Sequence, residues 1–222
     1  TASNVTVVIP DSVPVDIRAD MTLGNLAEGG SQRGGTTTRE SSYNTDKPGS
    51  HLVIEIDANN TAAAGLVING DNVVVRGLIL NRATMHGIQI QAGNGSRIEG
   101  CIIGTDNAGT AARPNGENGI EVFFSNANSI GGTTPASRNL ISGNGQAGIR
   151  LLTATSGNRV LNNIIGLQKS GTAALPNGQD GIIVRNSSDN LLGDAGVGNV
   201  VSGNGGNGIA LILGSPTNRI SG

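Results

Sequence analysis

The feature that most limits what this chain can fold into is its self-similarity. Arg97–Gly119 reads RIEGCIIGTDNAGTAARPNGENG, and Arg159–Gly181 reads RVLNNIIGLQKSGTAALPNGQDG. A constant offset of 62 residues aligns Ile103 with Ile165, Gly104 with Gly166, Gly109 with Gly171, Pro114 with Pro176 and Asn115-Gly116 with Asn177-Gly178. NLISGNGQAGIRL, Asn139–Leu151, then returns as NVVSGNGGNGIAL, Asn199–Leu211, at an offset of 60 with eight of thirteen positions identical. A third copy opens with Asn218-Arg219-Ile220-Ser221-Gly222. Fixed-period self-similarity marks an architecture whose units cannot bury an apolar face alone and must stack on their neighbours.

A shorter beat lies inside the long one. Gly-Ile-x-(Ile/Val/Leu) stands at 87–90, 119–122, 148–151, 181–184 and 208–211, with Gly65-Leu66-Val67-Ile68 as an earlier relative, at spacings of 22 to 33 residues. Two more apolar pieces follow each occurrence, such as Asn158-Arg159-Val160 and then Ile164-Ile165. Every piece is short and alternates with period two, which suits a strand with one apolar face. Helix is disfavoured, because Gly and Asn recur every few residues and β-branched residues fill the gaps. Three short strands per beat predict a coil that returns above itself, each strand pairing in parallel with its copy one turn up at ~4.8 Å. Stacked Ile, Leu and Val fill such a coil, and Ile141, Ile149 and Leu151 are expected inside.

The 36 Gly and 26 Asn then acquire a mechanical role. Corners between strands need positive φ, which Gly supplies freely and Asn tolerates. Asn at the same corner of successive turns can also stack its amides in a ladder. Asn139, Asn158, Asn190, Asn199 and Asn218 are the corner candidates. Ligand binding is the alternative role for each, but a residue that recurs in every turn is better explained by backbone geometry.

The layout resembles that of right-handed parallel β-helix proteins, the pectin-lyase-like superfold. More narrowly it is similar to the repeats of large secreted bacterial β-helix proteins. The residues that carry the resemblance are Ile102–Asp106, Gly109–Ala111, Asn115-Gly116, Ile130–Thr134 and Arg138–Gly145, together with Asn72–Arg82 as a first full turn. The resemblance implies an all-β chain: a right-handed single-stranded parallel β-helix solenoid, three short strands per turn, about six to seven turns. It covers 52–222, with the last turn incomplete. Residues 1–51 depart from the beat and are expected to form an entry turn and cap, with strands in Val5–Ile9 and Val13–Ile17 and an exposed polar loop over 28–50.

Several function classes are excluded by composition. The formal net charge is −2, so no basic face for nucleic acid is expected. No run of 18 apolar residues exists, so no membrane span is read. A single cysteine, Cys101, rules out an internal disulfide framework, and its place among isoleucines suggests packing. His51 and His86 stand isolated without metal-ligand spacing, and there is no Asp-x-Asp-x-Gly calcium loop, so neither metal nor cofactor is expected. The chain starts at Thr1 with no visible signal peptide, which suggests a processed or excised segment.

In this superfold, the resemblance implies, sugar-cleaving enzymes use carboxylates on adjacent turns, sometimes with Ca²⁺ and a basic proton abstractor. Fold alone does not assign an activity. The outward positions of the Gly-Ile-x strand are Val67, Gln89, Glu121, Arg150, Ile183 and Ala210, which gives one acid and one base on adjacent turns and reads as a surface salt bridge. On the second strand the outward arginines Arg97, Arg159 and Arg219 recur on alternate turns, either binding an acidic polymer or solvating a face. Asp106 has Gln168 as its counterpart, Glu99 has Leu161 and Glu117 has Gln179, so no acid is kept between copies. Phe123 and Phe124 are adjacent, and alternation sends one inward and one outward. No catalytic residue is assigned. The binding candidates are Arg97, Arg159, Arg219, Glu121, Phe123 and Phe124.

Two functions follow. The first is a non-enzymatic structural or adhesive β-helix, extracellular or at the cell surface: an adhesin stalk, a filament subunit joined through exposed β-helix ends, or part of a longer surface protein with a polysaccharide or cell-surface ligand. The second is a polysaccharide-active lyase, hydrolase or epimerase, which would need carboxylates from different turns to converge with a base such as Lys47 or Lys169.

Overall fold

The computed structural model describes residues 54–222 and the two short strands Val8–Ile9 and Asp16–Ile17. The chain rises through three parallel sheets, visiting each once per turn. The first sheet holds Val8–Ile9, Ala64–Ile68, His86–Gln91, Ile120–Phe123, Ile149–Leu152, Ile182–Arg185 and Ile209–Ile212. The second holds Asp16–Ile17, Val74–Arg76, Arg97–Glu99, Ser129–Gly131, Arg159–Leu161, Leu191–Leu192 and Arg219–Ile220. The third holds Ile54–Asp57, Leu78–Asn81, Ile102–Ile103, Leu140–Ile141, Ile164–Ile165 and Val200–Val201. This is a right-handed parallel β-helix, the hand that parallel crossovers of L-residues adopt. The expected cap over 1–51, apart from its two short strands, and the loop over 28–50 lie outside the described residues, as do Lys47 and His51.

Like stacks on like inside the coil. Ile88, Ile120, Ile149 and Ile182 form one column of the first sheet, and Ile103 and Ile141 meet Ile165 in the third. All are fully buried, as is Leu151, so the three residues expected inside from NLISGNGQAGIRL are there. Each such side chain is worth about 1.5–3 kcal/mol of burial.

The Gly of the Gly-Ile beat is a packing requirement. A Cβ on Gly119 would lie 2.7 Å from the backbone oxygen of Gly148 and 2.6 Å from Ile141 Cγ2. A Cβ on Gly148 would meet Gly181 O and Ile165 Cγ2, both at 2.7 Å. The chain turns here so tightly against the third sheet that no side chain fits.

Asparagine ladders run up all three corners. Between the first and second sheets, Asn128, Asn158, Asn190 and Asn218 are joined by Nδ2–H donation to the next Oδ1 at 3.0, 3.0 and 2.9 Å. Between the second and third, Asn139, Asn163 and Asn199 are joined at 2.9 and 3.0 Å. Between the third and first, Asn115, Asn144, Asn177 and Asn204 are joined at 2.9, 2.9 and 2.8 Å. Many rungs also receive the backbone N–H of the asparagine below, as Asn158 Oδ1 does from Asn128 at 2.9 Å. The five corner asparagines anticipated from sequence all lie in these ladders, but none of them has a positive φ, so the side-chain rung and not a left-handed bend is what they supply. Cys101 takes the place of an asparagine at the foot of the second: its N–H donates to Asn139 Oδ1 at 2.8 Å, and its thiol is buried.

The long period also has a physical cause. At the third-to-first corner, alternate turns carry a long loop closed by the antiparallel bridges Thr105–Ala112 and Leu167–Ala174. The two loops touch across the turn between them, where Lys169 N–H donates to Gly109 O at 3.0 Å. They roof the outer face of the third sheet, burying Leu140, Ile164 and Leu167 with Ile102 packed alongside. The sequence repeat is therefore two turns tall.

Candidate functional site

Among the described residues, no loop like these two lies over the outer face of the first sheet. Its central outward column runs Val67, Gln89, Glu121, Arg150, Ile183 and Ala210, one residue per turn in parallel register. A second column, the residues just before each Gly of the beat, runs Ala64, His86, Asn118, Ala147, Asp180 and Asn207 beside it. The two meet at Glu121.

Glu121 is not the exposed surface residue that its outward position suggests: it is 8% exposed. His86 Nε2 lies 3.3 Å from Oε1. Asn118 Nδ2–H donates to Oε2 at 3.1 Å, and Arg150 Nη1 stands 3.8 Å from the same oxygen. Glu117 Oε2 lies 3.8 Å from His86 Nε2. Burial pushes the Glu121 carboxyl up, and the hydrogen bond and charge of His86, then the charge of Arg150 and a hydrogen bond from Gln89, outweigh it and hold the group below its ordinary value. His86 is therefore not isolated, as its sequence surroundings indicate, because the solenoid sets it one turn below Asn118. Two polar atoms of this cluster are buried without a partner: His86 Nδ1 and Arg150 Nε. With Nε2 directed at a carboxylate, Nδ1 lacks a complementary group in either protonation state. An ionised carboxylate, an imidazole and a guanidinium on three successive turns can exchange a proton or bind hydroxyl and carboxylate groups.

Beyond Glu121 the same face is partly apolar. The column at the end of each strand reads Gln91, Phe123, Leu152, Arg185 and Ile212. Alternation does not send one phenylalanine inward. Val122 takes the inward place at 0% exposure, Phe123 faces out, and Phe124 enters the left-handed region at φ 47°, which turns it outward too at 51% exposure. The rings lie 4.2 Å apart, tilted by 54°. Ala92, Thr153, Asn186 and Leu213 occupy the same bend with φ of 59°, 51°, 49° and 48°, so it is made mostly without Gly or Asn.

The arginine column of the second sheet is in the expected register, with Arg97, Ser129, Arg159, Leu191 and Arg219 on successive turns. Arg97 lies 3.7 Å from Glu99, and Arg159 lies 3.4 Å from Asp194. Exposed pairs of this kind bring little stability and leave less free charge for a polyanion. Asp106 is a loop-builder: backbone N–H groups of Ala111 and Thr110 hold its carboxyl below the usual range. Burial pushes the Cys101 thiol up to about 12, so it is no nucleophile. Among the described residues no group of three or more His, Cys, Asp or Glu could hold a metal ion, and no helix is long and apolar enough to cross a membrane.

No protein family's sequence profile matches the chain, and no curated protein matches it. Among solved structures it is similar to an alginate lyase from Paenibacillus sp. str. FPU-7, at 17% identity and TM-score 0.31 over 64% of this chain and 58% of that one. It is also similar to the A-module of the Azotobacter vinelandii mannuronan C-5 epimerase AlgE4, at 14% identity and TM-score 0.31 over 72% and 54%. The chain thus spans somewhat over half the length of each. Neither likeness bears on the chemistry of this chain.

Proposed function

We propose that this chain is a structural and adhesive β-helix: a stiff extracellular or cell-surface spacer that presents one lateral face to a carbohydrate or other surface ligand. The observation that carries this reading is the set of asparagine ladders, which tie turn to turn at all three corners through side chains as well as backbone. A catalyst needs a few groups in one place, whereas ladders that run through three or four successive turns serve the stack itself. The first sheet's outer face is the contact surface by elimination. Loops roof the third sheet, and acids pair with two of the second sheet's arginines. Association through β-helix ends is the further part of the reading. Sedimentation over a range of concentrations tests it, and a monomer at every concentration removes it.

A second reading is favoured by one specific observation, the buried Glu121 with His86 and Arg150 on the adjoining turns. In that reading the chain is a polysaccharide-active enzyme, with Glu121 and His86 exchanging the proton. One experiment separates the two: a panel of acidic and neutral polysaccharides assayed for binding and for cleavage or epimerisation. Turnover that Glu121→Gln abolishes establishes the enzyme and overturns the structural reading. Binding without turnover, weakened by Phe124→Ala, supports the adhesive face. Neither binding nor turnover leaves only the spacer.

A further inference from the structure

The third-to-first corner is built from an unusual dipeptide for a reason that is visible in its packing. Asn115, Asn144, Asn177 and Asn204 are each followed by Gly: Gly116, Gly145, Gly178 and Gly205. The asparagine is needed for the ladder. The glycine is needed because a Cβ on Gly145 would run into Gly116 O, one on Gly178 into Gly145 O, and one on Gly205 into Gly178 O at 2.6 Å. The corner therefore carries Asn-Gly on four successive turns, above a turn that has Ala83-Thr84 in the same place.

Asn-Gly is also the dipeptide most exposed to self-attack. The glycine nitrogen loses its proton and attacks the asparagine Cγ, and a C–N bond forms as the Cγ–Nδ2 bond breaks. Ammonia leaves with the proton, and water then opens the resulting succinimide to aspartate or isoaspartate. No oxidant or reductant takes part. Closure needs a glycine N–H free of hydrogen bonds and a side-chain amide free to rotate over it.

Neither is free here. Gly116 N–H donates to Ala83 O, Gly145 N–H to Asn115 O and Gly178 N–H to Asn144 O, each at 2.8 Å. The amides are held on both sides: Asn144 Oδ1 accepts from Asn115 and Asn144 Nδ2 donates to Asn177, both at 2.9 Å. Asn115, Asn144 and Asn177 are essentially buried. Asn207-Gly208 is an Asn-Gly pair outside the ladder, and both residues are exposed.

We infer that this ladder is a one-way chemical lock: the native fold keeps Asn115, Asn144 and Asn177 from succinimide closure, and unfolding releases them to a modification that prevents the ladder from re-forming. Aspartate at a rung has no N–H to give the next asparagine, and it places a charge in a buried column. Isoaspartate adds a carbon to the backbone at a corner with no slack. The inference rests on the ladder alone and is independent of any role for Glu121.

Site-resolved peptide mass spectrometry tests it on the intact chain, incubated native and urea-unfolded in the same mildly alkaline buffer. In the native chain Asn207 converts, while Asn115, Asn144 and Asn177 convert at least roughly tenfold more slowly than in urea, a factor that needs only about 1.4 kcal/mol of opening free energy. Equal rates in the two states at these three positions overturn the inference. A second measurement tests the lock. Unfolded chain held at acidic pH, where the glycine nitrogen stays protonated, regains its unfolding transition on dilution, and chain aged unfolded at alkaline pH loses that capacity in proportion to conversion at the three rungs. Full recovery of converted chain overturns the lock. If the unmodified chain does not refold either, modification is not what prevents re-formation, and the lock is overturned.

Discussion

Two columns of side chains climb the same solenoid a few residues apart, and they follow opposite rules. At the third-to-first corner every turn from Asn115 to Asn204 repeats Asn-Gly. On the outer face of the first sheet no residue repeats: Val67, Gln89, Glu121, Arg150, Ile183, Ala210. Both are strictly in register. The difference is that the corner side chain must meet the turns above and below it in one fixed geometry, whereas outward side chains pair with one another in different ways from turn to turn, as His86, Glu121 and Arg150 do. Repetition marks positions where geometry leaves one solution, and variation marks those where function has room to act.

If that is right, damage to the repeating column should cost most. Asn144→Ala deletes a rung and leaves the buried Nδ2 of Asn115 with only its long bond to Leu80 O at 3.4 Å. Unsatisfied buried groups cost roughly 1–3 kcal/mol each, so a loss of about 2–4 kcal/mol is expected in urea unfolding followed by circular dichroism. A loss under about 0.5 kcal/mol, within the range of ordinary surface substitutions, would remove the ladder as a source of stability. Gly148→Ala comes next. Its Cβ would press on Gly181 O and Ile165 Cγ2, both 2.7 Å away, and overpacking of this kind costs about 1–3 kcal/mol.

These two positions also show why the fold was legible in the sequence. Gly-Ile and Asn-Gly recur because stacking forces them, so a single chain reports its own architecture through internal comparison. The site was less legible for the same reason. His86 stands directly before Gly87 in the position that Asn118, Ala147 and Asp180 fill on later turns, and nothing local to it signals a partner. Only the rise of the coil brings its imidazole to Glu121, 35 residues on in a chain that never repeats either residue there. Alternation would send one phenylalanine inward only along extended backbone, and Phe124 is left-handed.

The varying column should respond to pH where the ladder does not. Glu121 is held below its ordinary carboxyl value of 4.5. A depressed folded value means that its stabilising contribution is complete above the ordinary value and is lost as pH falls through the lowered one. Glu121→Gln removes the charge that faces His86 and Arg150, with an expected cost of about 1–2 kcal/mol at neutral pH. Unfolding curves of wild type and variant should converge on acidification below pH 4.5. A gap that persists at low pH would mean that shape, not charge, is what the carboxyl contributes.

The smallest effect has the opposite sign and tests the contrast most directly. Phe124 holds a left-handed bend at φ 47° with an aromatic side chain that is half exposed. L-residues other than Gly and Asn pay roughly 1–2 kcal/mol for that conformation. Asn186 occupies the same bend two turns up, so the backbone accepts asparagine there. Phe124→Asn relieves the strain but gives up contact with the Phe123 ring, 4.2 Å away. The balance is a gain of about 0.5 kcal/mol in stability, read as a raised urea midpoint at unchanged slope. A residue that the fold would be steadier without is one kept for what it touches, and the same variant should then bind a surface ligand more weakly. If Phe124→Asn is instead destabilising, the phenylalanine pair is a structural cover over the bend, and the outer face of the first sheet loses its best evidence of a partner.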